Sequence, residues 1–456
     1  MKIEFIKRGA ETRLILIFAG WSTDARYYSD CVAEGWDTAV VSDYRDLTMP
    51  SIPEQYTTVY IFAYSLGVAV ASLCDLPAAV RIAICGSPVP VSGQYGIPEN
   101  VYAGTLDGLD EKSLMKFHLR MAGDKASLES IMPRLPKNPD IELLKEELIA
   151  IRNFSIDHAE DAVRHNFDRV YIAEKDRIFS VANLQAYWEK AGSAEVVTLK
   201  ASHAVDIAAI IKDCLPDTVA IGEGFARAGK SYNNNAVIQK EICKKMCDRL
   251  INCISGLKTG NVSLLEIGVG NGLLTEEWRK YVIPEKATYV DLTEMPAFGI
   301  AKEERYLNLD AERWFEETDE KFDIILSAST VQWFSNPIRF VSSVRSHLNP
   351  GGFAILSTFV KGNLNQLDGL RPCPIIYKSE EDYRNADEME TESWERTLEF
   401  DSVREMVMHL RLTGVSPRKV GDRPEGKDGK SPVNHLRLSG LSKALTFRPL
   451  ILVIRN

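Results

Sequence analysis

Three residue types that together hydrolyse esters occur in the order Ser65, Asp176 and His203 in the first half of the chain. The segment TTVYIFAYSLG indicates a buried strand, a sharp turn with Ser65 at its tip, and then a helix of small residues. Asp176 and His203 each follow a further predicted strand, so we expect the three side chains at one edge of a sheet. There the serine would attack a carbonyl carbon, the histidine would take and return a proton, and the aspartate would orient the imidazole.

Such an attack also needs two N–H donors for the developing oxyanion. Leu66, directly after the serine, supplies one, and Trp21, at the end of the early strand RLILIF, is the predicted second donor. The ring of Trp21 also suits the lining of an acyl pocket. Two residues before the serine stands Ala63 instead of the usual glycine, and this departure weakens the motif. The alternative interpretation is a serine at a strand end without an enzymatic role.

A glycine-rich turn marks the second half of the chain. The segment LLEIGVGNG predicts a buried strand that carries Glu266, then a turn with Gly268 and Gly270, and then a helix. Such a turn lets the backbone approach a ligand closely, while the N–H groups of the next helix point at it. The spacing differs from the dinucleotide-binding form G-x-G-x-x-G. A purely structural glycine turn is the alternative.

Acidic residues end the next two predicted strands. Asp291 lies about 20 residues after the glycine turn, where such folds place an acid on ribose hydroxyls. Asp310, followed by Ala311, suits an adenine amino group. The segments KFDIIL and HLNPGGFAI predict further strands, and the whole succession resembles class I S-adenosylmethionine-dependent methyltransferases. The resemblance assigns these residues to the cofactor site: Glu266, Gly268, Gly270, Asp291, Asp310 and Ala311. A Rossmann-type fold that binds another ligand is the alternative.

The composition limits the other possibilities. A chain of 456 residues favours two or three domains, and a net charge of −10 argues against a general nucleic-acid binder. No apolar run reaches the length of a membrane span, and the N-terminus lacks a signal-peptide core. The eight cysteines show no metal-binding spacing. We therefore expect a cytoplasmic protein with reduced thiols, without a metal, and without nucleic-acid or membrane partners.

We predict an α/β chain with two domains in series. Residues 1–217 form an α/β-hydrolase domain, and residues 218–456 form a class I, Rossmann-like methyltransferase domain. A helical, charged and proline-punctuated insertion at about 92–166 indicates a lid over the serine. The lid region contains three histidines that we expect at the surface: His118, His158 and His165.

Longer segments carry a more specific resemblance. The second half resembles the malonyl-acyl-carrier-protein O-methyltransferases of biotin synthesis in FARAGKSY, LLEIGVGNG, YVDLTEM, STVQWF, LSTFVKGNLNQL and HLRLTGV. The first half resembles the compact pimeloyl-acyl-carrier-protein methyl ester esterases in AGW, YSLGV, EKDRIF and ASHAVD. The resemblance implies a serine esterase fused to a carboxyl methyltransferase. One activity would use S-adenosylmethionine to methylate malonyl-acyl-carrier protein, and the other would later hydrolyse pimeloyl-acyl-carrier-protein methyl ester.

Methylation of a carboxylate depends mainly on positioning, because this nucleophile is already ionised near neutral pH. We expect a hydroxyl or a cation beside it, with Tyr232 and Lys361 as candidates, although Lys361 could be an ordinary surface lysine. Basic side chains that could attract an acidic carrier protein are Arg411, Arg418, Lys419 and Lys361. Two alternatives stay open: the same folds acting on quinone-type small molecules, or an N-terminal half that only docks the carrier protein.

Overall fold

The computed structural model describes residues 1–49, 51–157, 167–192, 194–257, 261–367, 375–414 and 442–456. The chain divides into two compact units, unit 1 (Met1–Cys214) and unit 2 (Leu215–Asn456), and each unit contains a seven-stranded sheet. Both units are of the α/β class, as expected. No helix among the described residues is both long enough and apolar enough to cross a bilayer.

Unit 1 is organised around a mostly parallel sheet with the strand order β1-β3-β2-β4-β5-β6-β7. Its strands are β1 (Lys2–Lys7), β2 (Arg13–Phe18), β3 (Asp37–Ser42), β4 (Thr58–Tyr64), β5 (Val80–Ile84), β6 (Arg169–Ala173) and β7 (Glu195–Leu199). Only β1 runs antiparallel to its neighbour. Every residue of β2 and β4 is buried, as is typical of central parallel strands that are covered on both faces.

The helices of unit 1 are α1 (Gly67–Leu73), α2 (Glu99–Asp107), α3 (Glu111–Ala122), α4 (Lys125–Ile131), α5 (Ile141–Asp157), α6 (Val181–Ala191) and α7 (Ile207–Cys214). Four of them, α2 to α5, lie between β5 and β6 in the chain, and we call them the lid helices. The end of the predicted lid, residues 158–166, lies outside the described residues.

One expectation about the lid was wrong. His118, expected at the surface, lies on α3 and is only 5% exposed. It shares the buried face of this helix with Leu114, Phe117 and Met121, which recur at helical spacing. His158 and His165 lie outside the described residues.

Unit 2 has a mixed sheet with the strand order β10-β9-β8-β11-β12-β16-β13, and β14 and β15 form a separate antiparallel pair. Its strands are β8 (Ser263–Ile267), β9 (Lys286–Asp291), β10 (Glu303–Asn308), β11 (Phe322–Ser327), β12 (Leu348–Phe359), β13 (Glu390–Ser393), β14 (Arg396–Glu399), β15 (Ala444–Phe447) and β16 (Pro449–Arg455). The first five are parallel, and β16 pairs antiparallel to both β12 and β13.

The helices of unit 2 are α8 (Thr218–Asn235), α9 (Val237–Ile254), α10 (Thr275–Trp278), α11 (Ala311–Glu317), α12 (Pro337–Ser343), α13 (Glu380–Arg384) and α14 (Val403–Leu412). Neighbouring strand residues point to opposite sides of the sheet, and an apolar cluster covers each face. Leu264 of β8 packs in one apolar cluster, together with Cys243 and Cys247 of α9, whereas Leu265 packs in the other cluster.

Candidate active sites

Ser65 lies in a tight turn between β4 and α1. Its φ of +56° is a conformation that residues other than glycine rarely adopt. Its backbone N–H donates to the carbonyl oxygen of Ile84 at 2.8 Å. Two glycines permit the close packing: a Cβ on Gly67 would lie 2.5 Å from the Phe18 carbonyl oxygen, and a Cβ on Gly86 would lie 2.2 Å from the carbonyl oxygen of Ser65. The backbone thus holds the serine in a strained position at the end of β4.

A chain of hydrogen bonds joins the three side chains predicted from the sequence. His203 Nε2 lies 2.9 Å from Ser65 Oγ, and His203 Nδ1 lies 2.7 Å from Asp176 Oδ2. The other carboxylate oxygen of Asp176 accepts from the backbone N–H groups of Ile178 and Phe179 at 2.7 and 3.0 Å. Because these N–H groups fix the carboxylate, it can orient the imidazole with Nε2 toward the serine.

The turn Gly20–Thr23 lies beside the serine, and the Thr23 N–H closes it by donating to the Gly20 carbonyl oxygen at 3.1 Å. Trp21, the second residue of this turn, lines the same cavity as Ser65 and Leu66. Its indole N–H donates to the Leu144 carbonyl oxygen on α5 at 3.0 Å. The ring of Trp21 therefore forms part of the cavity wall and has a satisfied polar end.

This cavity has an empty volume of about 480 Å³ and is open to solvent. Most of its other lining residues are apolar, and most belong to the lid helices: Ile97, Val101, Tyr102, Thr105, Phe117, Leu148 and Ile178. Arg120 and Arg177 complete the lining, and both are exposed. An apolar wall with cations beside it suits an acyl chain that is attached to an anionic group.

Sequence reasoning missed the buried polar contact of His118, whose Nε2 lies 3.1 Å from Ser22 Oγ. Burial lowers the pKa of His118 to about 4, so the imidazole is neutral near pH 7. The signal was present in the sequence, because His118 falls on the apolar face of α3.

Within the described residues, Cys85 joins Asp176 and His203 in a group whose possible metal-ligand atoms lie within 4.8 Å of one another. Two of those atoms, Nδ1 and Oδ2, already share a hydrogen bond. We therefore regard this group as part of the Ser65 site and not as a separate metal site.

In unit 2, the glycine turn after β8 forms an open cradle. Gly268 and Gly270 have φ of +73° and +54°. A Cβ on Gly268 would lie 1.9 Å from Thr330 Oγ1, so this glycine permits close packing inside the protein. A Cβ on Gly270 would meet nothing within 4 Å, so this glycine borders empty space. A ligand could approach the backbone there without obstruction.

The two predicted acids lie at the ends of neighbouring strands. Asp291 ends β9, directly beside Asn308 of β10. Its Oδ2 accepts from the Gly270 N–H at 2.8 Å, and its Oδ1 accepts from both the N–H and the hydroxyl of Thr293 at 2.7 Å. Asp310 is the N-cap of α11 and accepts from the Glu312 N–H at 3.0 Å, and Ala311 is the first residue of this helix. Asp291 thus holds the glycine turn in place through the hydrogen bond from the Gly270 N–H.

The Glu266 carboxylate accepts hydrogen bonds from side chains of the neighbouring helix. It is 1% exposed, and its Oε2 accepts from Thr275 Oγ1 at 2.9 Å and from Trp278 Nε1 at 2.5 Å. Burial raises its pKa to about 7. Its Oε1 is buried and has no hydrogen-bond partner among the described residues. The observed bonds tie β8 to α10.

A second cavity, of about 370 Å³, lies beyond the end of β11 and includes the predicted Tyr232. Its other walls are largely aromatic: Phe225, Trp333, Phe359, Tyr377 and Phe447. Two further lining groups were not predicted from the sequence. Ser329 Oγ and Gln332 Oε1 are buried and have no hydrogen-bond partner within the described parts of the chain. A polar ligand in this cavity could satisfy both groups.

The predicted cations have different positions. Lys361 is exposed and is not one of the described residues that line the second cavity. Arg411 is exposed near the end of α14, whereas Arg418 and Lys419 lie outside the described residues. The polar residues that line this cavity in the described part of the chain carry uncharged side chains: Tyr232, Gln239, Ser329, Gln332, Asn363, Tyr377 and Thr413.

Comparisons with known proteins found a matching family model for each of the two units. Residues 1–205 match the family model described as "Pimeloyl-ACP methyl esterase BioG", and residues 265–356 match a methyltransferase domain. A protein of Bacteroides fragilis named malonyl-[acyl-carrier protein] O-methyltransferase is 29% identical over 88% of this chain and 84% of its own length. An uncharacterized protein of Haemophilus influenzae is 31% identical over 41% of this chain and 87% of its own length.

Among solved structures, BioG from Haemophilus influenzae is 29% identical, covers 45% of this chain and 94% of its own, and has a TM-score of 0.42. The sequence matches agree with the boundary between the two sheets, because one family model ends before Cys214 and the other begins in β8. Unit 1 therefore contains a domain that matches the family model described as pimeloyl-ACP methyl esterase BioG, and unit 2 contains a Rossmann-like methyltransferase domain.

Proposed function

We propose that the chain is a bifunctional enzyme of biotin synthesis. Unit 2 methylates the free carboxylate of malonyl-acyl-carrier protein, and unit 1, as an α/β-hydrolase, hydrolyses pimeloyl-acyl-carrier-protein methyl ester. The observation that carries the esterase half is the hydrogen-bonded series Ser65, His203 and Asp176 within a unit that matches the esterase family. The methyltransferase half is supported by the domain match and by the name of the relative from Bacteroides fragilis.

In the esterase reaction, Ser65 Oγ attacks the carbonyl carbon of the methyl ester while His203 Nε2 takes its proton. The N–H groups of Leu66 and Trp21 stabilise the oxyanion, and the protonated His203 returns the proton to the leaving methanol. Water then attacks the acyl-enzyme by the same route and releases the free carboxylate. Asp176 holds the imidazole throughout, and its bonds to two backbone N–H groups keep the carboxylate in place.

In the methyltransferase reaction, bound S-adenosylmethionine supplies an electrophilic methyl group. The empty space beside Gly270 and the acid at the end of β9 fit this cofactor. Asp291 would accept hydrogen bonds from the ribose hydroxyls, and Asp310 with Ala311 would border the adenine. Tyr232 and Ser329 hold the acceptor carboxylate with their hydroxyl groups, and no base is needed because the carboxylate is ionised. The protein thus acts through positioning.

Mass spectrometry tests both halves with defined substrates. Malonyl-acyl-carrier protein incubated with the chain and S-adenosylmethionine should gain the mass of one CH₂ unit, because a methyl group replaces the carboxyl proton. Pimeloyl-acyl-carrier-protein methyl ester should lose the same mass. Methylation of quinone-type small molecules but not of the carrier-bound acid would favour the other enzyme hypothesis. A first half that binds the carrier protein but never hydrolyses the ester would leave it as a docking module.

The cradle at Gly270 allows a direct test of cofactor binding. Gly270→Ala should weaken binding of S-adenosylhomocysteine about 10- to 100-fold in calorimetry, because its methyl group enters the space that the ligand needs. Gly351→Ala is the matched control: Gly351 also has positive φ, at +82°, and also has nothing within 4 Å. Both variants should lose a similar stability of about 1–2 kcal/mol. Equal binding by the two variants would place the ligand elsewhere.

Arg120 should contribute to recognition of the carrier protein by unit 1. An acidic carrier, approaching a chain with a net charge of −10, must be attracted by local cations, and Arg120 lines the mouth of the Ser65 cavity. We expect Arg120→Ala to lower kcat/KM for the carrier-bound ester several-fold at low salt. A free short-chain methyl ester should be hydrolysed as before. Steady-state kinetics at low and at physiological salt measure both, because salt screens exposed charges within about 8–10 Å.

Lys116→Ala is the control for this prediction. Lys116 is also exposed on α3, but it is not one of the residues that line the cavity. Both variants remove one positive charge from the same helix, so only the location of the charge differs. If kcat/KM for the carrier-bound ester fell equally in the two variants, the cause would be the overall electrostatic field of α3. Arg120 would then have no specific role at the cavity mouth.

A further inference from the structure

The turn Gly20–Thr23 contains another of the residues in unit 1 that have positive φ without being glycine. Ser22 occupies its third position with φ of +65°, a conformation that favours glycine at this place in a turn. The same residue is only 5% exposed. A serine stays in such a conformation only where its surroundings hold it. The turn carries the Trp21 N–H, so its conformation bears directly on the Ser65 site.

Two lid helices hold this turn. His118 of α3 has its Nε2 3.1 Å from Ser22 Oγ, and it is 5% exposed. The neighbouring Phe117 packs edge-on against the Trp21 ring with 4.9 Å between ring centroids. The Trp21 indole N–H donates to Leu144 on α5. Each of the two central residues of the turn is therefore bonded to the lid helices.

We propose that His118 is a positioning residue of the esterase, which acts by holding Ser22 in its left-handed conformation. This inference rests on the proposed esterase activity. If Ser22 relaxed to negative φ, the peptide plane between Trp21 and Ser22 would rotate, and the turn that presents the Trp21 N–H to the oxyanion would change shape. The same helix thus contributes to the cavity wall through Phe117 and supports the turn through His118.

A double-mutant cycle separates this role from simple packing. His118→Leu should lower kcat at least tenfold for a soluble methyl ester, with KM changed less than twofold. In the Ser22→Gly background, the same replacement should change kcat less than twofold, because glycine adopts positive φ without help. Equal losses in both backgrounds would overturn the proposal, since a packing defect at His118 does not depend on residue 22.

Two further measurements test whether His118 acts through its bond to Ser22 and through the oxyanion site. His118→Gln should restore most of kcat, because its terminal amide can reach the position of Nε2 and bond Ser22. An alkyl trifluoromethyl ketone, which forms a tetrahedral adduct with the serine, should lose affinity for His118→Leu in parallel with kcat/KM. Unchanged adduct affinity would overturn the proposal. If His118→Leu does not fold, the cycle is run with His118→Gln and His118→Asn, whose shorter amide cannot reach Ser22.

The outcomes also separate this inference from the function on which it rests. A wild-type chain that hydrolyses no methyl ester would remove the proposed esterase activity. A wild-type chain that is active but shows an additive cycle would remove only the role of His118.

Discussion

Replacement of Ser65 by alanine is expected to reduce ester hydrolysis about 10³-fold or more, because no covalent intermediate can then form on this residue. His203 Nε2 would lose the hydroxyl that lies 2.9 Å away. Methyl transfer by unit 2 should continue at the wild-type rate. Steady-state hydrolysis of pimeloyl-acyl-carrier-protein methyl ester and methylation of malonyl-acyl-carrier protein, measured on the same preparation, give both values.

Ser72→Ala is the matched control for this change. Ser72 lies on α1, is fully buried, and donates to the Ala69 carbonyl oxygen within the helix at 2.7 Å. This variant should keep near-normal hydrolysis. His203→Ala should lose about as much activity as Ser65→Ala, and the double variant should lose no more, because the groups act as one unit. Hydrolysis above a few per cent in Ser65→Ala would move the nucleophile to another residue.

Asp291→Ala should have the largest effect on the methyltransferase. It removes a charged acceptor from the ribose hydroxyls, and each such bond contributes about 1.5–3 kcal/mol. It also removes the support of the glycine turn, because Asp291 Oδ2 accepts from the Gly270 N–H at 2.8 Å. Together these losses should weaken S-adenosylhomocysteine binding by at least about 100-fold in calorimetry. The esterase rate of unit 1 should not change.

Asp323→Ala provides the comparison. Asp323, like Asp291, accepts from the N–H and the hydroxyl of a single residue, here Ser263 at 2.8 and 2.7 Å. It lies near the amino end of β11, away from the carboxyl ends of the parallel strands. Both variants should be destabilised, but only Asp291→Ala should lose the ligand. Similar ligand affinity in the two variants would show that Asp291 has no contact with the cofactor.

Much of the Ser65 site could be predicted because strand ends are encoded locally. Apolar runs define β4, β6 and β7, and the carboxyl ends of parallel strands meet at one edge. The position of Asp291 followed from the same reasoning. The surface expectation for His118 failed because it used helix membership alone. The spacing of Leu114, Phe117 and Met121 identifies the buried face of α3 and places His118 on it.

Other contacts could not be predicted from any pattern in the neighbouring sequence. The second cavity is lined partly by loop residues and by α8, so the exposed position of Lys361 was not encoded in any apolar period. The orphaned Ser329 Oγ and Gln332 Oε1 become visible only when side chains are packed. The partners of Glu266 are Thr275 and Trp278, on the helix that follows the glycine turn, and only the fold brings them together.

The position of β16 has a consequence for protein synthesis. This strand is translated after all other described strands of its sheet, yet it lies between β12 and β13 and pairs with both. Domains generally fold as units while the ribosome extends the chain. Unit 1, complete at Cys214, can fold while unit 2 is still being made. Until β16 emerges, β12 keeps an open edge that can pair with other chains. The nascent protein thus passes through a stage with a folded first unit and an aggregation-prone second one.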